Sequence, residues 1–151
     1  VAPVVDREGV LDERLGGTFI YYPQPLGFQA EWTVGRGPEL NDAQTAIIDR
    51  SLYGGYAMVI YRHQTEHTGE WLPFVRWAYY DGGYKSERNA PDVLIDEWEL
   101  GCEWQITDAV EFVSMYTITD RTNTRAISAT DTLSYQQFRG DLLRFQLQVK
   151  Y

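Results

Sequence analysis

The sequence predicts an all-β protein, an antiparallel transmembrane β-barrel, from three observations. Apolar and polar residues alternate with period two over segments of about ten residues, longer than the five or six of ordinary soluble strands. The connections between these segments run short, long, short, long. Aromatic residues reach 15% and recur near segment ends. A tilted strand of about 9–11 residues crosses the hydrocarbon layer, and outer-membrane barrels place short turns on one side and long loops on the other.

The alternation is clearest in "LLRFQLQVKY". Leu143, Phe145, Leu147, Val149 and Tyr151 fall on one face, and Arg144, Gln146, Gln148 and Lys150 on the other. In "LGFQAEWTVG", Leu26, Phe28, Ala30, Trp32 and Val34 oppose Gln29, Glu31 and Thr33. In "DEWELGCEW", Trp98, Leu100, Cys102 and Trp104 oppose Glu97, Glu99 and Glu103. Three glutamates on one strand face cannot enter a dry core, because an unpaired buried carboxylate is too costly. "PFVRWAYY" sets Val75, Trp77 and Tyr79 against Arg76. "AVEFVSMYTIT" sets Val110, Phe112, Tyr116 and Ile118 against Glu111 and Thr117.

Seven strands are expected, at roughly 13–22, 26–35, 51–62, 70–80, 93–104, 109–119 and 141–151, in a single unit over 1–151 whose residues 1–12 are the tail of a loop. The glycine pairs Gly16-Gly17 and Gly54-Gly55 blur the faces of two of them. "PQP" at 23–25, "HQTEHTG" at 63–69 and "QITD" at 105–108 are the short connections. The stretches 37–49, 82–91 and 120–140 are the long ones, marked by Gly, Asn, Pro and polar residues. "NDAQTAIIDR" is compatible with a helical turn inside its loop, one that folds into the lumen.

A net charge of −9, with 22 acidic against 13 basic residues, excludes a nucleic-acid surface, which needs a basic face. It leaves no polybasic run for anionic lipid either. The one cysteine, Cys102, forms no internal disulfide and no cysteine-based zinc cage; on the apolar face it reads as a small hydrophobe. No apolar stretch is long enough for a transmembrane helix.

Two chemical patterns compete with a channel. "HQTEH" matches the H-x-x-E-H order of an inverted zinc-peptidase motif, His63 and His67 being the only histidines. Residues four apart share a ligand face only on a helix, and this stretch reads as a turn. Glu97, Glu99 and Glu103 could supply a glycosidase's acid and base, but no sugar cleft accompanies them. The glycines of "DGG" and "GGY" precede no helix and form no phosphate loop. A soluble β-sandwich or β-barrel carbohydrate-binding module, stacking sugars on Trp and Tyr, is the alternative to a channel. The two differ in which way the apolar faces point.

The terminal Phe145, Leu147, Val149 and Tyr151 resemble the C-terminal assembly signal of bacterial outer-membrane proteins. "PFVRWAYYDGG" followed by "DEWELGCEWQITDAVEFVSMYTITDRTN" resembles the last strands of the phosphate-selective porin O/P family. That resemblance implies an outer-membrane channel of a Gram-negative-type bacterium, commonly a homo-trimer, with no catalytic residue and no cofactor or metal. It also implies a barrel with more strands than this chain supplies, so the chain is expected to be the C-terminal part of a larger one. Its partners are the lipid bilayer and small polar solutes or ions. Candidate pore-lining residues are Gln29, Glu31, Arg76, Glu97, Glu99, Glu103, Glu111, Arg144, Gln146 and Gln148. Phosphate selectivity needs rings of Arg or Lys, and lysine occurs only at 85 and 150. General diffusion, or a preference for cations, is therefore the expectation.

Overall fold

The computed structural model describes residues 9–41, 43, 45–86, 89–125 and 134–150. Their regular elements are all strands: β1 (Glu13–Tyr21), β2 (Leu26–Leu40), β3 (Ile47–Tyr61), β4 (His63–Thr65), β5 (Gly69–Gly83), β6 (Asp92–Thr107), β7 (Val110–Arg125) and β8 (Ser134–Val149). They form one antiparallel meander in the order β1-β2-β3-β5-β6-β7-β8, with β4 continuing the β3 side of the ladder against β5. β1 and β8 are its open edges. Antiparallel neighbours follow from the short hairpin connections, which cannot make a parallel crossover.

The expected fold class holds, and two details change. The described residues form eight strands rather than seven, because the stretch around His63 forms the short β4. The strands also run further into the long connections. β2 reaches Leu40 rather than 35, β7 reaches Arg125 rather than 119, and β8 begins at Ser134 rather than 141. "GRGPEL", "DRTNTR" and "SYQQFRG" are polar on both faces, so alternation cannot reveal them. The residues 47–50, part of the expected helical turn, are the first residues of β3. The short connections, 22–25, 66–68 and 108–109, all lie at one end of the sheet. The strand ends at Leu40 and Ile47, at Gly83 and Asp92, and at Arg125 and Ser134 lie at the other.

Register assigns every strand residue to a face, since directly paired residues point the same way. One row reads Tyr21, Phe28, Val59, Val75, Leu100, Tyr116, Leu143, crossing all seven long strands without a polar interruption. The row one residue away reads Ile20, Gln29, Met58, Arg76, Glu99, Thr117, Leu142. The apolar face is the exposed one: Leu143, Phe145, Leu147 and Val149 are each about 60% accessible, and Phe19, Leu100 and Trp98 about half. The mixed face is enclosed: Leu52, Leu72, Val93, Met115, Glu99, Thr117 and Asn123 are all buried on it. The sheet therefore curls with its mixed face inside. A soluble sandwich would bury the apolar face against a second sheet; here the described residues form one sheet with that face outward.

Candidate functional site

All ten residues singled out from the sequence lie on the inner face. Gln29, Arg76 and Glu99 share one cross-strand row, Glu31 and Glu97 the row above it, and Arg144 the row below. Glu103 and Gln146 share the next, and Glu111 and Gln148 the one nearest the short turns. The glycine-blurred strands now have faces. Tyr56 and Met58 point inward, while Tyr53, Ala57 and Val59 point outward.

The inner polar groups are tied into the wall rather than left projecting. Arg76 Nη1 donates to Glu99 Oε2 at 2.7 Å, and its guanidinium lies 4.7 Å from the centre of the Tyr56 ring. Gln29 Nε2 donates to the Tyr56 hydroxyl at 2.6 Å, so four neighbouring strands are linked at one height. The hydroxyl of Thr119 donates to Glu97. Gln105 donates to Glu103 at 2.9 Å and Gln148 to Glu111 at 3.2 Å. Arg144 Nη2 donates to the soft Met115 sulfur, at 3.8 Å. The sequence places Arg76 and Arg144 among the pore-lining candidates; the structure compensates the first with Glu99. Tyr56, Thr119 and the Arg62–Glu70 ion pair at 2.6 Å were not among those candidates. Glu70 was reachable: it is in phase with Arg76 on the same strand.

Aromatic residues gather at two heights on the outer face. Near the long connections, Trp32 stacks on Trp77 and Tyr79 with centroids 6.1 and 6.4 Å apart, and Tyr53 stacks on Tyr79 at 5.7 Å. Trp77 Nε1 donates to Asp96 and Tyr53 donates its hydroxyl to Asp81, so the polar edges face the long connections. Near the short turns, Trp71 and Trp104 stack at 4.5 Å. From Trp71 to Tyr79 the strand runs ~27 Å at ~3.4 Å per residue, or ~20 Å across the layer at a tilt of ~40°. That is close to the apolar band of about 25 Å between the girdles of outer-membrane barrels.

The histidine motif belongs to the lower belt. His63 lies in β4 and His67 in the 66–68 turn, not on a helix. The turn instead anchors the tryptophans: Trp71 Nε1 donates to the Thr68 hydroxyl at 3.2 Å and Trp104 Nε1 to the Thr68 carbonyl at 2.5 Å. Gly69 closes it at φ +83°, where a Cβ would also lie 2.1 Å from the Gln105 carbonyl. No group of three metal-ligating side chains comes together among the described residues. Titration with zinc is expected to show no stoichiometric site; tight binding lost in His67→Ala would contradict this.

Before β1, Asp12 takes one cation on each carboxylate oxygen: Arg14 Nε at 2.9 Å and Lys85 Nζ at 2.7 Å. The hydrogen bond from Lys85, with that from Arg14, holds the Asp12 carboxyl below the ordinary carboxylate range. Of the four assembly-signal residues, Phe145, Leu147 and Val149 lie on the outer face of β8, and Tyr151 falls outside the described residues.

No curated protein and no solved structure matches the chain significantly. A family model does: that of phosphate-selective porin O and P matches residues 2–151. An open, one-sheet strand meander with an exposed apolar face between two aromatic belts is what a wall of such a channel requires, and the chain belongs to this family of outer-membrane porins.

Proposed function

We propose that the inner face lines a water-filled pore, that the outer face meets lipid, and that the pore passes small polar solutes by diffusion with a preference for cations. The observation that carries this is the division of the sheet: an unbroken apolar row from Tyr21 to Leu143 on the exposed side, backed by a row holding Gln29, Arg76, Glu99 and Thr117 on the enclosed one. Water costs those polar groups little, whereas hydrocarbon would cost them several kcal/mol each, about 2–4 for a midplane Arg.

Charge decides the preference. Among the candidate residues, Glu31, Glu97, Glu99, Glu103 and Glu111 stand against Arg76 and Arg144, and Glu99 compensates Arg76. The surplus is acidic, and rings of carboxylates favour cations where phosphate selection needs Arg or Lys. The two open edges, β1 and β8, support closure by further strands, since a bilayer holds no water to satisfy an unpaired edge. Outward-facing Phe145, Leu147 and Val149 suit an assembly signal in the outer membrane of a Gram-negative-type bacterium, and trimers suit the family.

Reconstitution into planar bilayers under a potassium chloride gradient tests the reading. Reversal is expected on the potassium side, moving toward zero in Glu31→Gln and Glu97→Gln. Reversal on the chloride side, or chloride current blocked by phosphate, would refute it. Recovery of the protein in the soluble fraction without detergent would refute the channel altogether.

A further inference from the structure

Arg76 stands on the inner face of β5 among carboxylates, with Glu99 in its own row and Glu97 in the row above. Two contacts hold its guanidinium. Nη1 donates to Glu99 Oε2 at 2.7 Å, and the Glu99 side chain is only 11% exposed. The centre of the Tyr56 ring lies 4.7 Å from the guanidinium carbon. Nε, by contrast, is buried and has no hydrogen-bond partner among the described residues. A buried N–H without an acceptor costs free energy that hydration would return. The guanidinium therefore has a reason to leave the wall. A pivot about the Glu99 contact would wet Nε and carry the charge toward the lumen. The Tyr56 ring opposes that pivot, because the negative face of its quadrupole attracts the cation.

Strand register puts the ring there. Tyr56 pairs with Ala78 and Arg76 with Met58, so Tyr56 and Arg76 are diagonal neighbours across β3 and β5. Diagonal neighbours stand roughly 7–8 Å apart, a gap that an aromatic and a long side chain close between them. Ala78, with only a methyl group, leaves the ring room to lean along β5. From the other side, Gln29 of β2 donates to the Tyr56 hydroxyl at 2.6 Å and fixes the ring's far end.

We propose that Tyr56 is a positioning residue for ion preference: it keeps Arg76 flat against the wall, so that the carboxylates of the inner face govern which ions enter. This rests on the channel reading above. Without the ring the formal charges are the same, but Arg76 projects into the lumen, where it attracts anions and repels cations.

Substitutions that leave the net charge unchanged test this. In planar bilayers under a potassium chloride gradient, Tyr56→Leu keeps apolar bulk without the ring. It is expected to lower the potassium-over-chloride permeability ratio by about 2- to 5-fold, the factor by which losing a cation–π contact shifts the pinned and projecting states. Tyr56→Phe keeps the ring face and should match wild type. In an Arg76→Gln/Glu99→Gln background, which removes one charge of each sign, Tyr56→Leu should have no effect. If Tyr56→Leu yields no channels, Arg76→Lys decides in its place: it keeps the charge, loses the planar group that stacks, and should lower the ratio likewise. An unchanged ratio in the deciding variant would overturn the proposal and leave the channel standing. So would an equal fall in Tyr56→Phe, which would credit the hydroxyl, or in the neutral-pair background, which would credit pore width. Wild-type protein that forms no channel would overturn the channel reading itself.

Discussion

Val75→Arg is expected to cost about 2–4 kcal/mol of folded-state stability in a bilayer, enough to strip the protein from the outer membrane. Val75 lies midway along β5 between Trp71 and Tyr79, and its row partners are Val59 and Leu100. Its side chain is 42% exposed on the outer face, with no carboxylate among its direct cross-strand partners. A guanidinium there must enter hydrocarbon or drag water and headgroups inward. Its neighbour Arg76 carries the same group one residue away and is tolerated, because the strand turns it to the inner face, against Glu99 and Tyr56. Gln146→Arg is the matched control. It is paired with Val113 on the inner face and should change stability by less than about 0.5 kcal/mol, the range of ordinary surface substitutions. Urea unfolding in lipid vesicles and recovery in outer-membrane fractions would measure both. Equal tolerance of the two arginines would defeat the assignment of faces.

That contrast turns on parity, and parity is also where the sequence was informative. Period-two alternation put Leu143, Phe145, Leu147 and Val149 together, and Glu97, Glu99 and Glu103 together, because each strand is wet on one side only between the belts. Beyond the upper belt both faces are wet, so the outer thirds of β2, β7 and β8 carry no alternation and read as loop. β4 escaped for a related reason: three residues carry no period. The pairing of Arg76 with Glu99 needs more than faces. It needs the register of β5 against β6, which depends on the length of the connection between them. An error of one residue there sends every side chain of a strand to the other face. Asp12 and Lys85 are further still from legibility, since they lie 73 positions apart and meet only where the sheet brings the residue before β1 close to the residues after β5. The ionic composition was legible, but which charges cancel was not: the sequence does not place Glu99 beside Arg76.

Gly55→Ala is expected to destabilise the sheet by about 1–3 kcal/mol or more, the cost of overpacking, while Gly17→Ala changes it little. The two glycines flank Trp32 in one cross-strand row, Gly17 from β1 and Gly55 from β3, so composition and strand position are matched. A Cβ on Gly55 would lie 2.0 Å from the Glu31 carbonyl oxygen and 2.8 Å from Trp32 Cα. Those are backbone atoms of the neighbouring strand and cannot rotate aside, so β2 and β3 would have to part. A Cβ on Gly17 would meet nothing within 4 Å, and an alanine there can even add about 0.4–1 kcal/mol by narrowing the unfolded ensemble. The aromatic belt gives the difference a signature. Tyr79 pairs with Gly55 in the same row, and its ring stacks on Trp32 at an interplanar angle of 10° across the gap where Gly55 has no side chain. A methyl group at 55 stands in that gap. Gly55→Ala should therefore shift Trp32 emission and lower the unfolding midpoint together, and Gly17→Ala should do neither. Matching midpoints for the two alanines would show that the close approach of β2 to β3 is not what holds the upper belt in place.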